Sequence, residues 1–311
     1  MFAYLGGFFL GFILGANDTA NLFGTAVSSH MVRFRTAVLL VALFVIIGAL
    51  LQGAEGIQTY RKLSQQTIDT AVVTSFAAAL TVTLMTLLKI PVSTSQAVVG
   101  AIIGIGLVND NVRWGVLGKV IICWLATPVG GLIFAVLAYH FFRLFIDCLQ
   151  PDIFVLDLVT RIGLIVCGCY GAYALGANNV ANVAAVFVGE SGLMLQPHTA
   201  ALIGGVSIAV GAATMSRPVM MTVGKGIIKL DAYSAFICVL AHSITVHIFA
   251  MIGVPVSSTQ AIVGSILGIS IIKGLQIINY RTLRNVIAGW TATPFIAAAV
   301  AMVLQFTLSA V

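Results

Sequence analysis

Charge is the scarcest feature of this 311-residue sequence, because Asp, Glu, Lys and Arg together make up 8% of it. Soluble domains carry about 25% charged residues, so a soluble globular protein is excluded. Apolar residues reach 60% and the mean hydropathy is +1.12, a surplus that can only face lipid or other buried helices. The sequence therefore predicts a polytopic integral membrane protein.

Other absences narrow the class further. The five cysteines form neither a disulfide framework nor a zinc-binding spacing. The first residues lack the basic segment that opens a cleaved signal peptide, so we expect the N-terminus to belong to the mature fold. The motifs of metalloproteases, serine hydrolases and diphosphate-binding transferases are also missing, which argues against an enzyme.

Long uncharged intervals mark the membrane segments, since a helix needs about 20 apolar residues to cross a bilayer. Nine such intervals occur, the first interrupted by Asp18 alone, and the 41-residue interval 232–272 contains Gly253-Val254-Pro255 and must hold two segments. Transmembrane β-strands are about ten residues long and alternate in polarity, unlike these runs. We therefore predict ten helical segments in an all-α membrane fold.

Three motifs occur twice and in the same order. Residues 15–21 (GANDTAN) return as 176–182 (GANNVAN), 91–96 (PVSTSQ) as 255–260 (PVSSTQ), and 124–128 (WLATP) as 290–294 (WTATP). The offsets are 161, 164 and 166 residues. We predict two homologous domains of five segments each, residues 1–150 and residues 151–311.

An odd number of segments per domain turns the second copy over in the membrane. With the N-terminus outside, eleven basic residues lie in inside loops and four in outside loops, as the positive-inside rule requires. The inside set is Arg33, Arg35, Lys89, Arg143, Arg161, Arg217, Lys225, Lys229, Lys273, Arg281 and Arg284, and the outside set is Arg61, Lys62, Arg113 and Lys119. We expect two inverted-topology repeats in the plasma (inner) membrane with both termini outside. The net charge of +6 follows from this topology and from contact with anionic lipids, and it gives no evidence of a nucleic-acid partner.

The first repeated motif places Asn17, Asp18 and Asn21 inside an apolar segment. A carboxylate there costs about 2.5 to 3.5 kcal/mol on insertion scales unless it is paired, hydrated or metal-bound. Carboxylate, amide and carbonyl oxygens are the hard ligands that a small cation such as Na⁺ prefers, so we expect a cation site. Hydrogen bonding between helices is the alternative, and it has more weight for the second copy, which has no carboxylate. That copy adds the candidate ligands Asn178, Asn179 and Asn182.

The second repeated motif places a cluster of hydroxyls and one amide directly after a proline in each half. Proline is favoured at the first helical position, so we expect each cluster to form a first turn, whose backbone N–H groups lack partners. Such a helix end attracts anions, and inverted repeats would bring two such ends together near the middle of the bilayer. Ordinary N-capping is the alternative for either cluster alone. The expected anion ligands are Ser93, Thr94, Ser95, Gln96, Ser257, Ser258, Thr259 and Gln260.

These two pairs of motifs together resemble the inorganic phosphate transporter family, the PiT or sodium:phosphate symporters. The resemblance covers nearly the whole chain and implies an inverted-repeat fold with discontinuous, re-entrant helical hairpins. It also implies Na⁺ as the coupling ion at the Asn/Asp segments, phosphate between the Ser/Thr/Gln segments, and a homodimer. The function that it implies is cation-coupled symport of inorganic phosphate, with no enzymatic step.

Two departures from the family pattern leave alternatives open. Asn179 stands where the family usually has a second aspartate, and Ser95 stands where it usually has threonine. A missing carboxylate weakens a second Na⁺ site, so a proton could drive transport instead. Sulfate permeases are related members, and hydroxyl, amide and N–H groups do not separate SO₄²⁻ from HPO₄²⁻. An anion channel is disfavoured, because it needs a continuous polar pore and the polar residues form short clusters.

Two histidines, His242 and His247, lie in one predicted segment at a spacing that separates their faces. We interpret both as core histidines with satisfied hydrogen bonds, and a proton relay is the alternative.

Overall fold

The computed structural model of the protein describes residues 4–64, 66–87, 92–189, 195–226, 230–274 and 280–309, with the backbone alone at 222–226 and at 282. These residues are almost entirely helical, and one isolated bridge joins Val188 to Leu195. All five cysteines are unpaired thiols. The predicted all-α fold is confirmed.

In the described residues, the first half forms six helices, of which the first two are the pieces of one interrupted segment. Helices α1 to α6 are Leu5–Asp18, Ala20–Ser28, Phe34–Leu63, Ile68–Leu87, Thr94–Val108 and Trp114–Leu149. Thr19 alone separates α1 from α2, and its φ of −58° and ψ of −29° remain helical. Its hydroxyl donates to the Gly15 carbonyl oxygen at 2.6 Å. The segment is therefore interrupted at Thr19 without being unwound.

The described part of the second half forms five helices. Helices α7 to α11 are Ile153–Ala184, Pro197–Gly226, Ala232–Met251, Ser258–Lys273 and Tyr280–Ser309. A 3-10 turn, Ala185–Phe187, follows α7. Gly253 lies between α9 and α10 with φ +74°, a left-handed conformation that glycine adopts at little cost. This is the tight turn predicted inside the 41-residue uncharged interval.

The helix bounds repeat with the offset of the sequence motifs. Adding 164 to the bounds of α4 gives 232–251, the bounds of α9, and the same offset carries α3 onto α8 and α5 onto α10 within one residue at each end. The ten segments are therefore two copies of one five-segment unit. Their division into domains at residues 150 and 151 stays a prediction.

The helices differ in length in a way that suits a membrane. Seven of them in the described ranges, α3, α4, α6, α7, α8, α9 and α11, are long and apolar enough to cross a bilayer. Helices α5 and α10 have 15 and 16 residues, which span about 22 to 24 Å and so fall short of the roughly 30 Å hydrocarbon core. Each of these two short helices is the returning arm of a hairpin, α4–α5 in the first half and α9–α10 in the second.

The two hairpins enter from opposite ends of the molecule. At the open end of α4–α5, the Arg113 amide donates to the Leu63 carbonyl oxygen at 3.0 Å, and Arg113 is the N-cap of α6. At the open end of α9–α10, the Tyr233 hydroxyl donates to the carbonyl oxygen of Tyr139, far along α6, at 2.9 Å. Residues 113 and 139 are about 39 Å apart along a helix, more than the hydrocarbon thickness. The repeats are therefore inverted, as predicted.

The halves are also interleaved. A Cβ added at Gly100 would lie 2.2 Å from the Pro294 carbonyl oxygen, and one at Gly264 would lie 2.1 Å from that of Pro128. Glycine is therefore required where α5 crosses α11 and where α10 crosses α6. Because each hairpin packs against the last helix of the other half, hydrophobic clusters such as the one with Ile102 and Ala297 contain residues of both repeats.

The outer surface is apolar. Large side chains such as Leu51, Phe154 and Phe295 are 70% or more exposed. Apolar exposure on this scale requires a lipid environment, which makes this an integral membrane protein.

Candidate functional site

The polar residues singled out from the sequence meet where the two hairpin tips contact α1, α2 and α7. Twelve of the fourteen are buried, whereas Asn17 and Thr259 are half-buried. They occupy the end of α1 (Asn17, Asp18), α2 (Asn21), the last turns of α7 (Asn178, Asn179, Asn182), the N-cap and first turn of α5 (Ser93 to Gln96) and those of α10 (Ser257 to Gln260).

Both hydroxyl clusters begin a helix, as expected. The Ser93 hydroxyl caps α5 by accepting from the Gln96 amide at 3.3 Å, and the Ser257 hydroxyl caps α10 by accepting from the Gln260 amide at 3.3 Å. The expectation that proline holds the first helical position was wrong for Pro255, which lies two residues before the N-cap. A cap needs a side-chain oxygen, which serine supplies and proline does not. Pro91 lies outside the described residues.

The two hairpin tips touch each other. The Ser95 hydroxyl donates to the Val256 carbonyl oxygen at 2.9 Å, and the Thr259 hydroxyl donates to the Val92 carbonyl oxygen at 3.4 Å. Each tip thus bonds to the residue that precedes the N-cap of the other. Two helix N-termini, each with unpaired backbone N–H groups and partial positive charge, are brought together.

The first copy of the Asn motif holds the two hairpins through its amide nitrogens. Asn17 Nδ2 donates to Thr86 Oγ1 at 3.5 Å, and Asn21 Nδ2 donates to Ser258 Oγ at 3.2 Å. In the part of the chain that the structure describes, no donor reaches Oδ1 of Asn17, Asp18 or Asn21. Three side-chain oxygens, one of them on a carboxylate, are therefore available to a ligand.

The second copy is bonded differently, because its amide oxygens are occupied. Asn178 pairs with the backbone of Val256, donating to its carbonyl oxygen at 2.8 Å and accepting from its amide at 3.0 Å. Asn182 accepts from the Tyr60 hydroxyl at 2.8 Å. Asn179 Oδ1 accepts from the Nδ2 atoms of both Asn178 and Asn182 at 2.9 Å.

One hydrogen bond joins the two copies. Asn179 Nδ2 donates to Asp18 Oδ2 at 3.4 Å, although the residues are 161 positions apart. These are the equivalent positions of the two motifs, so the inverted repeat brings the aspartate of one copy against the asparagine of the other.

Glycines near the motifs allow close helix packing. A Cβ at Gly15 would lie 1.9 Å from the Ile208 carbonyl oxygen, and one at Gly176 would lie 2.0 Å from that of Val45. Close packing is what the structure has at both positions.

The site includes residues that the sequence reasoning missed or interpreted differently. His242 Nε2 lies 2.9 Å from Ser258 Oγ, so this side chain contacts the second hydroxyl cluster. Its Nδ1 is buried with no partner in the described residues, so the prediction of satisfied hydrogen bonds was wrong for His242. His247 bonds to Tyr170 and Gln52 at 2.8 and 2.7 Å, which confirms it as a satisfied core histidine. Tyr60 carried no sequence signal, because its bond to Asn182 crosses 122 residues of chain.

Two buried side-chain amide oxygens in the site have no partner within the described residues. They are Oε1 of Gln96 and Oε1 of Gln260, equivalent residues in the two first turns. A buried unpaired acceptor is destabilising, by about 1 to 3 kcal/mol, unless a ligand satisfies it. Their presence at both tips indicates a ligand that can donate a hydrogen bond or a cation that the oxygens can coordinate.

The chain is similar to known proteins over nearly its whole length. The model of the phosphate transporter family matches the chain twice, over residues 14–156 and 150–301. A Methanocaldococcus jannaschii protein named "Putative phosphate permease" is 32% identical over 300 residues, covering 96% of this chain and 94% of that protein. A Haemophilus influenzae protein of the same name is 28% identical, covering 97% and 94%.

A solved structure has the same fold. It is named "The sodium-dependent phosphate transporter" and is similar to this chain with a TM-score of 0.85, covering 99% of this chain and 98% of that one. At 24% sequence identity the likeness concerns the fold alone.

Proposed function

Because the chain belongs to the phosphate transporter family, we propose that it carries inorganic phosphate across the membrane by symport with Na⁺. The family is one of transporters, and the polar residues form a compact site between inverted repeats, where carriers bind their substrates. Phosphate binds between the hairpin tips, and Na⁺ binds beside it at the first Asn motif.

The meeting of two helix N-termini is the observation that carries the anion site. A doubly charged oxyanion in the bilayer interior needs several charge-assisted hydrogen bonds. One helix end supplies too few donors, whereas the contact between Ser95 and Val256 brings a second end to the same place. The site is built from hydroxyls and backbone N–H groups, with no basic side chain required.

Phosphate is favoured over sulfate by the unpaired glutamine oxygens. HPO₄²⁻ keeps one proton that seeks an acceptor, whereas SO₄²⁻ offers acceptors only. Oε1 of Gln96 and of Gln260 are buried acceptors with no donor among the described residues. A bound HPO₄²⁻ satisfies one of them, and a bound SO₄²⁻ satisfies neither. Sulfate transport is the second candidate.

Sodium is favoured at the first motif by the chemistry of its oxygens. Asp18 supplies a negative charge that would repel the anion unless a cation neutralises it. Asn17, Asp18 and Asn21 each keep a side-chain oxygen without a donor in the described ranges, and Na⁺ prefers such hard ligands. Binding of the cation therefore strengthens binding of the anion.

Uptake by proteoliposomes tests this function. We expect radiolabelled phosphate to accumulate when a Na⁺ gradient is applied and to stay near background when choline replaces Na⁺. Radiolabelled sulfate is measured in parallel, and a pH gradient without Na⁺ tests proton coupling. Sulfate uptake that a large excess of phosphate leaves unaffected contradicts the phosphate assignment, and uptake driven by the pH gradient alone contradicts the Na⁺ assignment.

A single shared anion site is tested by calorimetry on purified protein. Ser93→Ala and Ser257→Ala should each weaken the same phosphate-binding event, by about 0.5 to 3 kcal/mol, with one class of sites per protomer. Two independent sites, each sensitive to one of the substitutions, would refute this arrangement.

We also propose a plasma (inner) membrane location with both termini outside, supported by the excess of basic residues in the predicted inside loops. The exposed apolar surface is in contact with lipid and, in a homodimer, with a second copy. Labelling of the exposed Cys148 from one side of intact vesicles tests the orientation, because α6 ends at Leu149 on the predicted inner side.

A further inference from the structure

We propose that Asn179 is the positioning residue that links the cation at Asp18 to both hairpin tips, and that the first Asn motif alone holds this cation. The inference rests on the proposed Na⁺-coupled function and deepens it. It assigns different roles to Asp18 and Asn179, although they hold equivalent positions in the two repeats.

The backbone of Val256 determines the orientation of the Asn178 amide. Its Oδ1 accepts from the Val256 amide and its Nδ2 donates to the Val256 carbonyl oxygen, so a flipped amide would break both bonds. The second proton of Nδ2 is therefore directed to Asn179 Oδ1, 2.9 Å away. The backbone that precedes the second hydroxyl cluster thus determines which atom Asn179 uses as an acceptor.

Hydrogen bonds to Tyr60 and to Ser95 of the first hairpin determine the orientation of the Asn182 amide. Asn182 Oδ1 accepts from the Tyr60 hydroxyl, and its Nδ2 donates both to Ser95 Oγ at 3.0 Å and to Asn179 Oδ1 at 2.9 Å. Ser95 lies in the first turn of α5 and itself bonds to the other tip through Val256. Asn179 Oδ1 is therefore held by donors that lead to each of the two hairpins.

A primary amide accepts hydrogen bonds at its oxygen and donates them from its nitrogen. Because Asn179 Oδ1 already accepts two hydrogen bonds, Asn179 turns its Nδ2 toward Asp18 Oδ2. An N–H group does not ligate a cation. Each amide oxygen of the second motif already accepts at least one hydrogen bond, whereas Oδ1 of Asn17, Asp18 and Asn21 accepts none from the described residues, so the first motif supplies the ligands for the cation. One cation site follows.

The hydrogen bond between Asn179 and Asp18 couples the cation site to the anion-binding hairpin tips. A cation bound at Asp18 neutralises part of the negative charge of the carboxylate. The hydrogen bond from the Asn179 N–H to Asp18 therefore becomes weaker. Asn179 is then held by Asn178 and Asn182 alone, which are bonded to the second and first tips. The position of both anion-binding helix ends thus depends on the charge state of Asp18. Linkage requires the reverse as well, so phosphate binding alters the affinity for the cation.

The experiment measures this linkage directly. The phosphate Kd of purified protein is determined by calorimetry in Na⁺ and in choline, for wild type, Asn179→Ala, Asn179→Asp and the control Ser270→Ala. Ser270 is equally buried in α10, and its hydroxyl bonds only to Ile266 of its own helix in the described residues. We expect Na⁺ to lower the Kd by about 5- to 150-fold in wild type and in the control. In Asn179→Ala this ratio should fall to near one, and because the Kd in Na⁺ is divided by the Kd in choline of the same variant, a change in the Kd in choline does not affect the comparison.

Asn179→Asp conserves the shape of the side chain and replaces the N–H with a second carboxylate oxygen. Two carboxylates in contact need an additional cation, so the Hill coefficient for Na⁺ should rise from one toward two. This variant keeps the test valid if Asn179→Ala does not fold.

The outcomes separate this inference from the proposed function. A full Na⁺ effect in Asn179→Ala overturns the role of Asn179 and leaves Na⁺-coupled transport intact. A Hill coefficient near two in wild type, unchanged in Asn179→Asp, overturns the single cation site. A wild-type Kd that does not respond to Na⁺ overturns the proposed Na⁺ coupling, and this inference with it.

Discussion

The first Asn motif keeps three side-chain oxygens without donors in the described ranges and carries a carboxylate, whereas the second motif carries no charge and has every amide oxygen bonded. The helix that holds the first motif is interrupted at Thr19, and the helix that holds the second runs unbroken to Ala184. Two heptapeptides that differ at two positions are therefore bonded differently: the first leaves three side-chain oxygens without donors in the described ranges, and the amides of the second form a hydrogen-bonded frame.

The difference shows how a duplicated fold can divide its tasks. A charged side chain in a membrane interior is useful where a ligand can neutralise it, and it is destabilising elsewhere. Asparagine in the second copy, at Asn179, avoids a second buried charge and instead joins the carboxylate to the hairpins. Substitutions that make the two Asn motifs alike at one position, or that remove hydrogen bonds of the second motif, therefore test each motif separately.

The largest effect should follow Asp18→Asn, which gives the first motif the same residue as the second at this position. Without the carboxylate, the anion lacks a neutralised partner and the cation lacks its charged ligand, so we expect Na⁺-dependent phosphate uptake to be abolished with expression intact. Uptake by proteoliposomes is the measurement, and Asp69→Asn, which removes an exposed charge, is the control. Normal uptake with unchanged Na⁺ dependence would show that Asp18 is not a coupling ligand.

A smaller effect, on stability, should distinguish Asn178 from its equivalent Asn17. Asn178→Ala leaves the buried amide of Val256 without a partner, and the Val256 carbonyl oxygen keeps only its bond from the Ser95 hydroxyl, so we expect it to lower the free energy of unfolding by about 1 to 3 kcal/mol. Asn17 makes one hydrogen bond of 3.5 Å from a half-buried position, and its loss should cost about 0.5 kcal/mol. Denaturant unfolding of purified protein measures both. Equal losses would contradict the view of the second motif as a frame.

The hairpin tips differ as well, since His242 backs the second tip and Ala78 holds the equivalent position behind the first. His242→Ala removes a hydrogen-bond partner of Ser258, so we expect the phosphate Kd to rise about tenfold, or about 1.4 kcal/mol. His247→Ala, in the same helix but bonded to Tyr170 and Gln52, is the control and should leave the Kd unchanged. If the two variants shift the Kd equally, His242 has no particular role in the anion site.

The smallest effect concerns pH at the open end of the second hairpin. Burial raises the pKa of the Asp231 carboxyl, but the hydrogen bonds from Lys273 and Ser234 lower it more, so the net pKa lies below its ordinary range. The unfolded chain therefore binds a proton at Asp231 more readily than the folded protein does. The resulting stabilisation of the folded protein is present above pH about 4 and is lost as pH falls through the folded pKa.

The pair is partly exposed, so we expect no more than about 1 kcal/mol, measured by unfolding between about pH 5 and pH 3. Asp231→Asn should remove this part of the pH dependence. The first hairpin is closed by the uncharged bond from Arg113 N–H to the Leu63 carbonyl, which does not titrate. An unchanged pH profile in Asp231→Asn would mean that the Lys273 pair contributes nothing measurable.

Much of the fold was readable from the sequence because a bilayer limits what a chain can do. Uncharged runs gave the ten segments, the repeated motifs gave the two copies, and the odd number of segments gave their inversion. The cost of burying polar groups in a membrane also drew attention to Asp18 and the hydroxyl clusters. A polar group within such a segment is destabilising unless it has a partner or a ligand. The place of Pro255 was misjudged, because a local propensity for the first helical position was applied where a serine cap decides the helix start.

Composition, segment number, repeat and inversion were thus determined by the sequence alone, through the cost of placing charge and unpaired backbone in lipid. The tertiary structure decided which partner each polar group has. The bonds from Tyr60 to Asn182 and from Asn179 to Asp18 join residues more than a hundred positions apart. An asparagine can present either its oxygen or its N–H, and the choice depends on neighbours that only packing brings into contact. For that reason Asp18 and Asn179 look equivalent in the sequence and have different roles in the fold.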